Sequence, residues 1–266
     1  MVKEFEGKNE WAIILGASSG LGLATAKKLA KEGMHLCLVY RARKSDMAAI
    51  EAEFNAIKTM YKVQLLHFNK DIVKTENSAF ILNELTHQLK EKGRVKCLIH
   101  SIAKGNLKPM VSNESRELQN DDFHITLENM AFSLYDWVKQ VVAKKIFAAD
   151  ARVISFTSEG NKKAWKNYAA VSTAKVALEA ITRNIALEFA PFGIKANCIE
   201  AGVTDTASFR MIPGNETLKE FALQRNPSNR LTQPEDIANA VYLLCKEEAK
   251  WITGITLPVN GGEHLS

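Results

Sequence analysis

A phenol and an ammonium on one helix face can act as a pair. The phenol donates a hydrogen bond to a developing oxyanion, and the ammonium lowers the cost of negative charge beside it. Such a pair stands in Tyr168-Ala-Ala-Val-Ser-Thr-Ala-Lys175, where the tyrosine lies seven residues before the lysine. Positions four and seven residues back both fall on the lysine's face of a helix, so the spacing predicts convergence on one bound group. The position four back is Val171, which carries no hydroxyl. Moving the phenol from four to seven back shifts it by about 4.5 Å along the axis, and a different substrate atom should lie under it. Ser158, seventeen before Lys175, is the third candidate for the reacting set. Competing readings stand beside these: Tyr168 packing on Trp165 at a helix start, Lys175 snorkelling at the surface, Ser158 capping a turn.

A nucleotide site near the N-terminus would give that pair its purpose. Trp11-Ala-Ile-Ile-Leu15 is an apolar run, followed by Gly16-Ala-Ser-Ser-Gly20-Leu-Gly22 and a helical pattern of Leu23, Ala26, Leu29 and Ala30. Gly16 can take the tight turn, Gly20 lets backbone amides approach a pyrophosphate, and Gly22 permits close packing of helix on strand. Ser18, Ser19 and Leu21 complete the turn. Three glycines alone are a weak signal, because tight turns use glycine anyway. Their placement between strand and helix selects the phosphate reading.

The second strand, His35-Leu-Cys-Leu-Val-Tyr40, decides which dinucleotide. A site for NAD usually ends this strand with a carboxylate for the ribose 2′-hydroxyl. Here it ends in Tyr40-Arg41-Ala42-Arg43-Lys44, with no carboxylate until Asp46. Arg41 and Arg43 offer paired N–H donors to a 2′-phosphate, Ser18 could add a hydroxyl, and the expected cofactor is NADPH. A solvated basic loop is the alternative.

These residues need a scaffold, and the rest of the chain alternates strand and helix. Strands are predicted at 63–68 ending near Asp71, 97–101, 153–157, 195–199 and 255–259, with helices over 78–92, 127–146, 168–189 and 234–245. The pattern predicts an α/β fold: a three-layer, doubly wound parallel sheet of about seven strands in a single domain over 1–266, with cofactor and substrate outside the strands' C-terminal ends. Residues 204–225 are expected to form a substrate lid. Phe209, Met211, Ile212, Leu218, Phe221 and Leu223 are apolar there, and Pro213-Gly-Asn interrupts the helix. Ordinary amphipathic packing is the alternative for some of them.

Composition fits such an enzyme: 266 residues, 46% apolar and 24% charged. The net charge of +5 is spread without an aromatic-interleaved basic stripe, so no nucleic-acid partner is expected. No run is long enough to span a bilayer and the start lacks an apolar signal core, which reads as cytoplasmic with no membrane partner. Cys37, Cys97, Cys198 and Cys245 lack C-x-x-C spacing and read as reduced core residues, and six scattered histidines predict no metal. Lys162, Lys163 and Lys166 cluster before Tyr168, where they could steer an acidic carrier protein or form a solvated loop.

The glycine turn, Asp71, the Ser158, Tyr168 and Lys175 set, and Val259-Asn-Gly-Gly262 together resemble the short-chain dehydrogenase/reductase superfamily along nearly the whole chain. Several departures from its commonest form point one way. His100-Ser-Ile-Ala103 stands where the common form has Asn-Asn-Ala-Gly. The tyrosine is seven rather than four before the lysine. Met130 occupies the usual catalytic asparagine position, with Asn129 adjacent. Glu200-Ala-Gly-Val-Thr-Asp-Thr206 resembles the Ser-Ala-Gly-x-x-x-Thr segment of enoyl-acyl carrier protein reductases. The glycine turn and basic second strand resemble the NADPH-using FabL-type branch of those enzymes.

The resemblance implies reduction of the carbon–carbon double bond of a trans-2-enoyl thioester, free or carried on acyl carrier protein, in fatty acid synthesis. It implies Tyr168 on the thioester oxygen and Lys175 on the nicotinamide ribose. Ser101, Ile102 and Ala103 would pass under ribose and nicotinamide, Asp71 and Ile72 would flank adenine, and Gly202, Val203 and Thr206 would hold the carboxamide and pyrophosphate side. Thr206 could equally be a helix N-cap. Many enoyl reductases carry a second tyrosine near Ser158, and this chain has Ser158 and Glu159 there. A homotetramer is implied, built partly from the helices over 127–146 and 168–189, whose apolar residues fall on more than one face. Two other readings are an NADPH-dependent carbonyl or 3-oxoacyl reductase of the same superfamily and a catalytically silent NADP-binding regulator.

Overall fold

The computed structural model describes residues 3–113 and 116–265. Its strands are β1 (Glu10–Leu15), β2 (His35–Tyr40), β3 (Leu65–Asn69), β4 (Arg94–His100), β5 (Phe147–Ser158), β6 (Ile194–Ala201) and β7 (Thr256–Val259). They form one sheet in the order β3-β2-β1-β4-β5-β6-β7, and every pairing is parallel. A parallel sheet is covered on both faces, so side chains on both faces of β1, β2 and β4 are buried rather than alternating with exposed ones. Their side chains divide between two cores with the strand period of two. Ala12, Ile14, Leu36, Leu38, Cys97 and Ile99 enter one core; Trp11, Ile13, Leu15, Cys37, Val39 and Leu98 enter the other.

The first core is closed by α1 (Gly20–Lys31), α2 (Met47–Tyr61) and α9 (Pro234–Cys245). Behind the second lie α3 (Thr75–Leu89), α5 (Ser133–Ala143) and α6 (Ala169–Glu188). The expected fold class is therefore present, with element boundaries moved. β5 begins at Phe147 instead of 153, because the chain before Ala151 already pairs with β4 through Val95↔Phe147. The third helix starts at Thr75 and stops before Lys90, which takes φ +53°.

The helix expected over 127–146 is longer and interrupted. It opens as α4 (Asn120–Leu127), where Gln119 and Asp122 form a reciprocal capping box. It then passes through a π-helical turn, Glu128–Phe132, into α5. Among the described residues no helix is long and apolar enough to cross a membrane. All four cysteines are free and buried, three in strands and Cys245 at the end of α9.

Candidate functional site

The C-terminal ends of β1, β2, β4, β5 and β6 open into one cavity of about 740 Å³. Its floor is the β1–α1 turn. Gly16 has φ +87°, and a Cβ there would run into the Ser101 carbonyl. A Cβ on Gly22 would likewise run into the Gly16 carbonyl, so Gly22 serves the packing of α1 on the turn and does not line the cavity. Gly20 opens α1, and the N-cap residue Ser19 makes no side-chain capping bond. The first amides of a 12-residue helix thus keep their donors for another acceptor. Gly16, Ser18, Ser19, Gly20 and Leu21 all line the cavity, and a dinucleotide pyrophosphate fits this cradle.

At the end of β2 the two expected arginines separate. Arg41 lines the cavity and donates to Asp71 Oδ2 at 2.8 Å, with Lys104 Nζ 4.0 Å from the same oxygen. Arg43 is exposed at the N-cap position of the short 3₁₀ turn Lys44–Asp46 and does not line the cavity. Lys70 and Lys104 line it instead. Reading the strand end alone missed them, because they follow β3 and β4 and reach the site only through strand order. Asp71 is bonded by Arg41 and the Val73 amide, which together hold its carboxyl below the ordinary range against the opposing effect of burial, the largest single influence. Ile72, Ser101, Ile102 and Ala103 also line this wall.

Tyr168, Lys175 and Ser158 reach the same cavity. Tyr168 is the N-cap of α6 rather than a residue within it: its φ/ψ is −111°/2°, and its carbonyl accepts from the Ser172 amide at 2.8 Å. Gly160 lies against the ring, where a Cβ would come within 2.6 Å of Tyr168 Cε1. Burial raises the Tyr168 phenol pKa, and the adjacent Ser158 hydroxyl lowers it in part. Ser158 Oγ is buried and completes no hydrogen bond by geometry, so it is a polar atom left for a ligand. Lys175 is buried and donates to the Phe156 carbonyl at 2.6 Å; burial brings its pKa down to about 8. The snorkelling reading of Lys175 is thereby removed.

The position four before Lys175 lines the same cavity but offers it only an apolar surface. Val171 packs with Met130 and Ala174, bordered by Ile102, Leu107, Leu127 and Tyr168. Gly105 presses on this cluster, since a Cβ there would meet Val171 Cγ2 at 2.6 Å and Met130 Sδ at 3.0 Å. Asn129 and Met130 both line the cavity from the π-helical turn. His100, at the end of β4, shares a 2.8 Å hydrogen bond with Ser133, which donates to the Asn129 carbonyl at 2.7 Å. Burial first, and nearby Lys175 second, push the His100 pKa down to about 3, so this support is neutral.

The outer wall is α7 (Ala207–Arg210), a turn, and α8 (Asn215–Arg225). Phe209, Met211, Ile212, Leu218 and Phe221 line the cavity, whereas Leu223 does not. Thr206 is both things at once: its hydroxyl caps α7 by accepting from the Phe209 amide at 3.2 Å, and it faces the cavity. Gly202 and Val203 line the inner side. The Val203 amide donates to Glu263 and its carbonyl accepts from the Thr232 amide. Of the lysines at the mouth, Lys162 pairs with Glu200 at 2.7 Å and Lys163 with Glu159 at 2.6 Å, while Lys166 is exposed.

The comparisons agree with this geometry. A family model described as Enoyl-(Acyl carrier protein) reductase matches residues 16–264. A 7alpha-hydroxysteroid dehydrogenase of Clostridium sardiniense is 28% identical over 268 aligned positions, covering 99% of this chain and 96% of that protein. The 3-oxoacyl-[acyl-carrier-protein] reductase FabG of Staphylococcus epidermidis is 26% identical, covering 97% of this chain and 100% of that protein. Among solved structures, FabI from Candidatus Liberibacter asiaticus superposes with a TM-score of 0.84 at 20% identity, covering 100% of this chain and 98% of that one, a likeness of fold. With its nicotinamide-dinucleotide cradle and buried lysine, the chain belongs to the family described as Enoyl-(Acyl carrier protein) reductase within the short-chain dehydrogenase/reductase superfamily, and is an oxidoreductase.

Proposed function

We propose that the protein is an NADPH-dependent enoyl-thioester reductase acting on trans-2-enoyl thioesters, free or carried on acyl carrier protein, in fatty acid synthesis. The observation that carries this reading is the phenol's position: Tyr168 borders the cavity at the start of α6, while Val171, four before Lys175, lines the same cavity beside Met130 without a hydroxyl. Bound NADPH would supply hydride to the β-carbon of the substrate. Negative charge then builds on the thioester oxygen, two carbons from the reduced centre. A phenol set back along the helix reaches that oxygen, and its raised pKa keeps it a donor at neutral pH.

Lys175 would hold the nicotinamide ribose, Ser158 Oγ supplies an unpaired polar atom beside the phenol, and Arg41 with Lys70 and Lys104 would take the 2′-phosphate. Arg41 must then share or release Asp71. The apolar side chains of α7 and α8 would form the lid over the acyl chain. Carrier steering has less to draw on than three free lysines, since Lys162 and Lys163 are ion-paired.

Reduction of a carbonyl is the second reading, favoured by the 3-oxoacyl reductase among the relatives. Oxidation of NADPH measured with a trans-2-enoyl thioester beside a 3-oxoacyl thioester separates the two. The enoyl substrate should be consumed, and Tyr168→Phe should slow it by about 10²–10³, the usual loss for one oxyanion donor. Turnover of the 3-oxoacyl thioester alone would show a carbonyl reductase with a displaced tyrosine.

A further inference from the structure

The lid segment leaves the sheet after Gly202 and returns at the end of α8, and its two ends meet at one side chain. Glu263 lies in the last 3₁₀ turn of the described chain, Glu263–Leu265, and is 3% exposed. Its Oε2 accepts the Val203 amide at 3.1 Å, and its Oε1 accepts Arg225 Nη2 at 2.9 Å. Val203 opens the lid segment; Arg225 is the last residue of α8. The same guanidinium donates to Glu159 at 2.9 Å, next to Ser158. The carboxylate also presses on the backbone it anchors, since a Cβ on Gly202 would come within 2.9 Å of Oε2.

We propose that Glu263 is a positioning residue that staples both hinges of the 203–225 lid, with Arg225 and Glu159 tying the returning hinge to the catalytic end of β5. Val203 and Arg225 are 22 positions apart in the chain, yet one rigid carboxylate sets their separation. Phe209, Met211, Ile212, Leu218 and Phe221 are therefore carried on a segment whose base is fixed while its middle, broken at residues 211–214, stays free to adjust. Two charge-assisted bonds on one buried group hold such a base far better than surface pairs would. The proposal rests on reading this segment as a substrate lid.

Amide hydrogen exchange of the whole chain tests the staple without any substrate. Glu263→Gln removes the charge and leaves one carbonyl acceptor for two donors. Exchange across 204–225 should quicken about tenfold, the scale of a lost hydrogen bond to a charged group, with β1, β4 and β5 unchanged. Arg225→Gln keeps Glu263 on Val203 and should quicken exchange in α8 but not in α7, so it reads the staple even if the first variant folds poorly. Combining the two should add nothing in α8 beyond Arg225→Gln alone, which already removes the bonds to both Glu263 and Glu159. In turnover, Glu263→Gln should raise KM for the thioester about tenfold with kcat changed less. Unchanged exchange in both variants, or an increase spread evenly over the sheet, would overturn the proposal. Faster lid exchange in a protein that reduces no enoyl thioester would leave the staple standing and remove the enoyl reading.

Discussion

Burial moves Tyr168 and Lys175 in opposite directions, and both shifts favour the neutral side chain. For the phenol this costs nothing at neutral pH, where it is a donor anyway. For the amine it is a strain on the fold. With a folded pKa of about 8 against an ordinary 10.5, the unfolded chain binds a proton between those values that the folded chain has lost. Stability should therefore rise with pH across roughly 8 to 10.5, and below about pH 8 the full cost, about 3 kcal/mol, is present. Lys175→Met removes that cost and the bond to Phe156, so without nucleotide it should raise the melting midpoint at pH 7 by roughly 2–4 °C and flatten the rise above pH 8. Dinucleotide binding should weaken at the same time. A lowered midpoint would mean that the Phe156 bond outweighs the buried charge. Arg41 and Arg43 give a second contrast. Arg41→Ala should raise the NADPH KM about tenfold and leave NADH nearly untouched, the scale of a charge-assisted bond, while Arg43→Ala should change neither. Equal losses with both cofactors would remove the 2′-phosphate assignment.

Among the elements, α6 and the π-helical turn of the preceding helix jointly decide where a hydroxyl can stand. The turn pushes Met130 toward Val171, and the loop at Gly105 closes over both. A tyrosine at 171 would extend from this packing into the cavity that Val171 lines, about one helical turn from the present phenol. Val171→Tyr combined with Tyr168→Phe should accordingly recover no enoyl reduction, as NADPH oxidation with a trans-2-enoyl thioester would show. Recovery of enoyl turnover would show that the phenol's offset along the helix is not what selects the reaction. The lid had a legible break in Pro213-Gly214, where Gly214 takes φ +78°, but its fastening to Glu263 was not legible, since no local pattern links Val203, Arg225 and a C-terminal glutamate.

For the whole molecule, the outer faces of α5 and α6 leave apolar side chains uncovered. Phe132, Tyr135, Val176, Leu187 and Phe192 are all exposed, and Tyr135, Phe189 and Phe192 form a chain of ring contacts between the two helices' ends. Exposed apolar side chains on two neighbouring helices are the kind of surface that association between copies would cover. We expect a homotetramer, checked by light scattering at working concentration. Val176→Lys with Leu187→Lys should reduce the mass while leaving the melting transition cooperative. A monomeric mass for the unaltered protein would exclude this assembly.

Local chemistry determined a large part of this protein. Apolar strand runs, the glycine turn between strand and helix, and the Tyr168 to Lys175 spacing depend on neighbours within a few turns, so they specify the α/β class and point to a nicotinamide cofactor without any tertiary information. Boundaries were less legible, because capping boxes, left-handed residues such as Lys90 and the strand pairing that carries β5 back to Phe147 override periodicity. Tertiary structure alone decided what lies across the sheet. It set Arg43 aside and brought Lys70 and Lys104 to the cavity, buried Lys175 on a carbonyl of β5, and committed the Val203 amide to a residue 60 positions away. The physical reason is that a parallel sheet gathers the ends of distant strands at one edge. Which of their side chains meet there depends on strand order and helix packing, neither of which is written in any single stretch of sequence.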